Sequence, residues 1–144
     1  MGWRRLWFKT SESLLMEILL IALLGSIGSL VRYHLGGYVH SSANRALASE
    51  AEFPFGTLFV NAVGSLILGL IAGLFSEQMI PHISSVVVGV GFCGSLTTFS
   101  TLAVDLQRFV RDRRLLFFAL YLAASTLSGI GSVLLGFAIA RIVS

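Results

Sequence analysis

The chain has 144 residues, 56% hydrophobic and only 12% charged, with a mean hydropathy of +0.89. Soluble domains carry about 25% charged residues, so the surplus apolar surface requires membrane lipid as a partner. The formal charge of +3 does not indicate nucleic acid, because Arg108, Arg111, Arg113 and Arg114 cluster beside an apolar span, where they suit lipid headgroups.

Residues 1–13 form a basic lead-in in which Trp3, Trp7 and Phe8 suit the headgroup level. The apolar run that follows is of span length and lacks a persuasive small-residue cleavage site, so it does not read as a signal peptide. A first membrane helix is expected over 13–33. Gly25, Ser26, Gly28 and Ser29 give it a patch for close helix packing. Arg32 closes the span, and its stem can snorkel while the guanidinium organises a vestibule or meets headgroups. Residues 34–52 read as a polar connection without periodicity, although 43–51 has the length of a short interfacial helix. His34, His40 and His82 lack metal-ligand spacing.

The second span is expected over 55–75, about 31 Å at 1.5 Å per residue, with Pro54 at its start. Ser65, Gly69 and Gly73 recur every fourth residue and make a packing stripe. Asn61 interrupts this apolar helix. Its amide needs partners at that depth, either as glue between helices or as a donor facing a pore.

The third span, 83–110, contains G-V-G-F-C-G-S-L-T-T-F-S-T at 89–101. Glycine weakens a helix and hydroxyls compete for its backbone, so a continuous lipid-facing helix gains nothing from this cluster. A break over 94–98 is expected, with freed amides and carbonyls turned toward something polar. Cys93 is the only cysteine; it excludes an internal disulfide and reads as packing. Asp105 either pairs with Arg108 or faces a wet vestibule. The fourth span is expected over 115–142, with Tyr121 and Ser125 on one face. Ser128, Ser132, Gly136 and Ala140 continue a stripe that reads equally as packing or as a polar track.

The fold class is therefore an all-α membrane protein, one domain over 1–144, with four transmembrane helices and the third broken near its centre. One side of the membrane receives Arg4, Arg5, Lys9 and Arg141, the other Arg32, Arg45, Arg108, Arg111, Arg113 and Arg114. This near balance, with a weak N-out preference, suggests dual topology and an antiparallel dimer. Four helices are few to enclose a hydrated path, and the small-residue stripes need neighbours, which also points to a homo-oligomer. Carbonyls converging at the break favour a monovalent cation, and nearby amides and hydroxyls favour an anion. No nucleophile–base pair is visible, so an enzyme is not expected.

Three motifs resemble the CrcB/Fluc family of fluoride channels. G-F-C-G-S-L-T-T-F-S-T at 91–101 is close to the family's G-F-x-G-G-x-T-T-F-S-T-F. G-T-L-F-V-N-A-V-G-S-L-I-L-G at 56–69 and G-S-I-G-S-L-V-R-Y at 25–33 match in order, and the resemblance covers nearly the whole chain. It implies a fluoride-selective channel giving passive export across the inner (plasma) membrane. It implies a fluoride pathway of Asn61, Phe99, Thr98, Tyr121 and Ser125. It also implies a structural sodium ion (Na+) on the backbone carbonyls of Gly94 and Thr97, at the centre of the dimer. Arg32, Asp105 and Leu102 take vestibule or structural places. Departures are Leu102 for the family's second pathway phenylalanine, Ser95 for a glycine, and Asp105 for a glutamate. The first makes a heterodimer with a related subunit an alternative to a homodimer. From the residues themselves, a small-solute or cation transporter using the broken helix as its cradle remains the rival function.

Overall fold

In a computed structural model of the protein, residues 3–46 and 53–144 are described, with side chains from Ser13 onward. The elements are α1 (Trp3–Ala46), α2 (Phe55–Ser76), α3 (His82–Val86), a π-helical segment (Val87–Cys93), α4 (Gly94–Leu96), α5 (Phe99–Arg111) and α6 (Leu115–Val143). Among the described residues, four stretches are long and apolar enough to cross a membrane: Ser13–Ala46, Phe55–Ser76, His82–Arg111 and Leu115–Val143. The second, third and fourth agree with the expected spans to within a residue or two. The chain is a multi-pass membrane protein. The expected headgroup placement of Trp3, Trp7 and Phe8 concerns side chains outside the described residues.

The first span differs from expectation. The helix does not stop near Tyr33 but continues to Ala46, so the polar segment 34–46 is helical. At 44 residues, α1 is about 66 Å long, more than twice the hydrocarbon thickness. Two contacts hold its polar end. Gly36 and Gly56 cross so closely that a Cβ on Gly56 would collide with the Gly36 carbonyl oxygen. One helical turn beyond His40, Asn44 pairs its side-chain amide with the backbone of Phe53: Nδ2 donates to the Phe53 carbonyl (3.1 Å), and the Phe53 N–H donates to Oδ1 (3.2 Å). Local periodicity is weak here because the helix is held by backbone contact with α2, not by an apolar stripe. The interfacial helix expected over 43–51 lies partly outside the described residues; its first four positions belong to α1.

The stripes foreseen on the second and fourth spans meet each other. Helices α2 and α6 make the most extensive contact in the chain. A Cβ on Gly69 would strike the Val133 carbonyl, one on Gly136 the Leu66 carbonyl, and one on Gly73 would lie 2.5 Å from the Ala140 Cβ. These small residues let two backbones touch, where dispersion rather than hydrophobicity holds helices in lipid. Both stripes are thus satisfied inside one chain and give no argument for a second copy. The patch on α1 works in the same way: Gly28 receives Ser95 and the Phe92 carbonyl, and Gly91 lies against the Ile21 backbone. Around α5 and α6, Phe109 packs between Phe117 (6.0 Å between ring centres) and Tyr121 (5.9 Å), with Phe53 edge-on to Tyr121 at 5.4 Å.

Gly69→Leu is expected to destabilise the protein by about 1–3 kcal/mol, the usual cost of overpacking. Gly131→Ala, where nothing lies within 4 Å of the added methyl, serves as the neutral control. Unfolding by denaturing detergent in mixed micelles reads both.

Candidate functional site: the break in the third span

The third span loses its regular pattern twice. Over Val87–Cys93 it widens into a π-helix, with the Gly94 N–H donating back to the Gly89 carbonyl. Such bulges gather at functional sites. The helix recovers for Gly94–Leu96 and then stops. Thr97 (φ −79°, ψ 154°) and Thr98 (φ −148°, ψ 121°) are extended, and α5 starts at Phe99. The break expected over 94–98 is therefore confined to Thr97 and Thr98. Gly94 keeps helical dihedrals, and Ser95 stays helical with its hydroxyl donating to the Gly91 carbonyl (2.7 Å). That bond explains how serine stands where the family pattern has glycine: its polar group is absorbed by its own helix.

What stops the helix is the diversion of two amides. In an unbroken helix the Thr98 N–H would donate to Gly94, and the Thr101 N–H to Thr97. Instead, the Thr98 N–H donates to Asn61 Oδ1 at 2.7 Å, while Asn61 Nδ2 donates to the Thr98 carbonyl at 3.1 Å. The Thr101 N–H donates to Thr98 Oγ1 at 3.3 Å, which makes Thr98 the N-cap of α5. Thr98 Oγ1 also lies 3.0 Å from Ser100 Oγ and 3.2 Å from Thr101 Oγ1. The Gly94 and Thr97 carbonyls lose their helical donors. Thr97 gains a long bond from Arg32 Nη1, 3.4 Å. Freed carbonyls of this kind are hard oxygen ligands, the donor type that suits an alkali cation. Gly94 is exposed on this chain.

Below the break lies a cavity of about 450 Å³ bounded by α1, the start of α2, and α5; Arg32, His40, Thr57, Thr98, Asp105 and Arg108 supply its polar wall. Two arginines against one carboxylate make this vestibule cationic. Asp105 makes no ion pair with Arg108 among the described residues. Its Oδ2 accepts from Thr57 Oγ1 (3.2 Å) and from the fully buried Tyr121 hydroxyl (3.3 Å). Between the two placements left open for Asp105, the structure therefore favours the vestibule. One turn along α6, Ser125 Oγ is buried next to the Tyr121 hydroxyl and makes no hydrogen bond of good geometry among the described residues. Thr126 and Ser128 bond to carbonyls of their own helix, Leu122 and Ser125 respectively. Phe99 stands 78% exposed beside the break, and Leu102, one turn on, is half-buried.

The structure thus gathers Asn61, Thr97, Thr98 and Arg32 at the break, with Asp105 and Tyr121 one layer away. Phe99, Gly94 and Leu102 are placed on α4 and α5 without a contact tying them to that group. Sequence reasoning overlooked Thr57 and Asn44. For Thr57 a signal existed, since it precedes Asn61 by four residues and shares its helix face. Asn44 carried none, because its partner Phe53 lies in a loop.

Fold and site define a multi-pass membrane protein whose third span opens its backbone at a cationic vestibule. A family profile described as CrcB-like protein, Camphor Resistance (CrcB), matches residues 19–137. The chain belongs to this family. It is 42% identical over 123 residues (85% of this chain, 96% of the relative) to the fluoride-specific ion channel FluC 2 of Rhodococcus jostii (strain RHA1). It is 37% identical over 127 residues (87% and 95%) to the fluoride-specific ion channel FluC 1 of Nitrobacter hamburgensis. It is also 37% identical over 122 residues (84% and 93%) to the fluoride-specific ion channel FluC of Thermococcus onnurineus (strain NA1). These relatives carry the names of ion channels, not of enzymes.

Tyr121→Phe removes a donor to a charged carboxylate and is expected to cost about 1.5–3 kcal/mol. Ser125→Ala removes a hydroxyl that makes no well-formed hydrogen bond among the described residues and should leave stability within about 0.5 kcal/mol. Detergent unfolding of the two variants side by side checks the contrast.

Proposed function

We propose that the protein is a fluoride-selective channel giving passive export of fluoride across the plasma membrane, as an antiparallel dual-topology homodimer around a structural sodium ion. The observation that carries this reading is the extended Thr97–Thr98 pair, clamped by Asn61 at a cationic vestibule. The names of the relatives supply the ion. Fluoride is small and strongly hydrated, so a path for it needs donors that replace water as it sheds its shell. Asn61 and the Ser125 hydroxyl supply donors, Thr98 lines the vestibule with Tyr121 behind it on Asp105, and Phe99 offers a weakly positive ring edge. Arg32 and Arg108 raise the local anion concentration in the vestibule, which disfavours the rival reading of a cation cradle.

Support for a second copy comes from the exposed residues of the third span. Gly94, Phe99, Ser100 and Gln107 are all exposed there, and polar groups facing lipid at membrane depth are costly. An antiparallel partner would cover these residues and bring its own Gly94 and Thr97 carbonyls to the same place. When bound, sodium would contribute a fixed positive charge near the path; the residues that would hold it are Gly94 and Thr97. The half-buried Leu102 leaves its own side of the path without a second aromatic ring, so one Phe99 per subunit lines each route.

The purified chain alone, reconstituted in liposomes, is expected to release fluoride rapidly and chloride negligibly. Equal rates for the two anions, or no flux, would refute the reading. Asn61→Asp replaces an amide donor with a carboxylate and is expected to reduce fluoride flux by about 10- to 100-fold, the equivalent of about 1.5–3 kcal/mol for a hydrogen bond to a charged group. Ser125→Ala should slow flux without the loss of stability seen for Tyr121→Phe.

A further inference from the structure

Two asparagines in this chain do the same thing to the backbone, and the difference between them is informative. Each pairs one edge of its side-chain amide with both the N–H and the carbonyl of a single residue. Asn44 does so with Phe53, and Asn61 with Thr98. In such a two-point pairing, the oxygen and the amide hydrogen on its side are both consumed. The second hydrogen points away from the paired peptide, because the amide is planar. For Asn44 that nitrogen also reaches the His40 ring, at 3.3 Å to Nδ1 and 3.4 Å to Nε2. For Asn61 no further protein acceptor appears among the described residues, although the side chain is half-buried. It lies one helical turn deeper than Thr57 on the same face of α2, and Thr57 and Thr98 both line the vestibule.

We propose that the Thr98 peptide locks the Asn61 side chain in one flip state, so that only its second Nδ2 hydrogen faces the conduction path. This rests on the channel reading above and adds to it the device that sets the sign of the contact. A free asparagine can turn either its oxygen or its nitrogen toward a passing ion. Here the flipped state would set Oδ1 against the Thr98 carbonyl oxygen and Nδ2 against the Thr98 N–H, two repulsive contacts in place of two bonds. The same pairing withdraws the Thr98 N–H from Gly94 and so maintains the break. The helix break and the filter contact are therefore one structure. Asn61 is a specificity residue held by the backbone that it holds open.

The test uses the full-length protein in lipid bilayers, with ¹⁵N-labelled asparagine and the Asn61 side-chain signal assigned by comparison with Asn61→Asp. The two Nδ2 protons are magnetically distinct. Fluoride addition is expected to shift one of them strongly and leave the other, bonded to Thr98, nearly unchanged, while chloride shifts neither. Replacing the 97–98 amide bond by an ester, which removes the Thr98 N–H while keeping every side chain, is expected to lower the fluoride-over-chloride flux ratio at least tenfold. Equal shifts of both protons, no shift in a protein that conducts fluoride selectively, or an ester variant of unchanged selectivity would each overturn the lock while leaving the channel reading intact. Absence of fluoride flux in the unmodified protein would instead remove the reading on which the lock rests.

Discussion

The fate of one amide hydrogen organises this protein. Within a continuous helix the Thr98 N–H would close a ring with Gly94; here it is taken by Asn61 from the neighbouring span at 2.7 Å. That single exchange, reinforced when Thr98 turns its own hydroxyl to cap α5, leaves the Gly94 and Thr97 carbonyls without their helical donors in the middle of a membrane-crossing segment. An unpaired peptide group in hydrocarbon costs several kcal/mol. Its persistence requires that the surroundings provide substitutes, and the remaining elements can be understood by what each supplies.

Helices α2 and α6 form the fixed part. Their glycine contacts bring two backbones together at Leu66–Gly136, Gly69–Val133 and Gly73–Ala140, so the helix bearing Asn61 is held in register. Helix α1 supplies the opposite wall: Gly28 admits the Phe92 carbonyl and Ser95, and Arg32 reaches the Thr97 carbonyl. The π-helical segment uses up the misfit upstream, before the three-residue turn Gly94–Leu96. Polar groups that would be expensive singly are connected. Asp105 takes two hydroxyl donors, and Ser95 returns its proton to its own helix. Ser125 is the exception, a buried hydroxyl that has no well-formed hydrogen bond among the described residues.

Much of this was readable from the residues. Three of four spans follow from the lengths of the apolar runs, and the glycines and threonines of 89–101 announce an irregular helix. The precise break did not follow, because Gly94 and Ser95 look like breakers whereas the interruption falls on Thr97 and Thr98. The cause lies on another helix, in Asn61, and no local pattern records such a partner. The same reason hid the helical character of 34–46, which depends on Gly56 and Phe53 beyond the loop. Packing stripes were visible, but not that they would meet each other within one subunit. Thr97 and Gly94 share one feature that no local pattern announces, that both carbonyls lose their helical donors at the same two-residue gap.

The central claim is that Thr97 and Thr98 are extended inside the bilayer while their neighbours are helical. Backbone and Cβ ¹³C chemical shifts of the protein in lipid bilayers report this directly, residue by residue. Extended-type shifts are expected at Thr97 and Thr98, between helical values at Leu96 and Phe99. Helical shifts at both threonines would contradict the account.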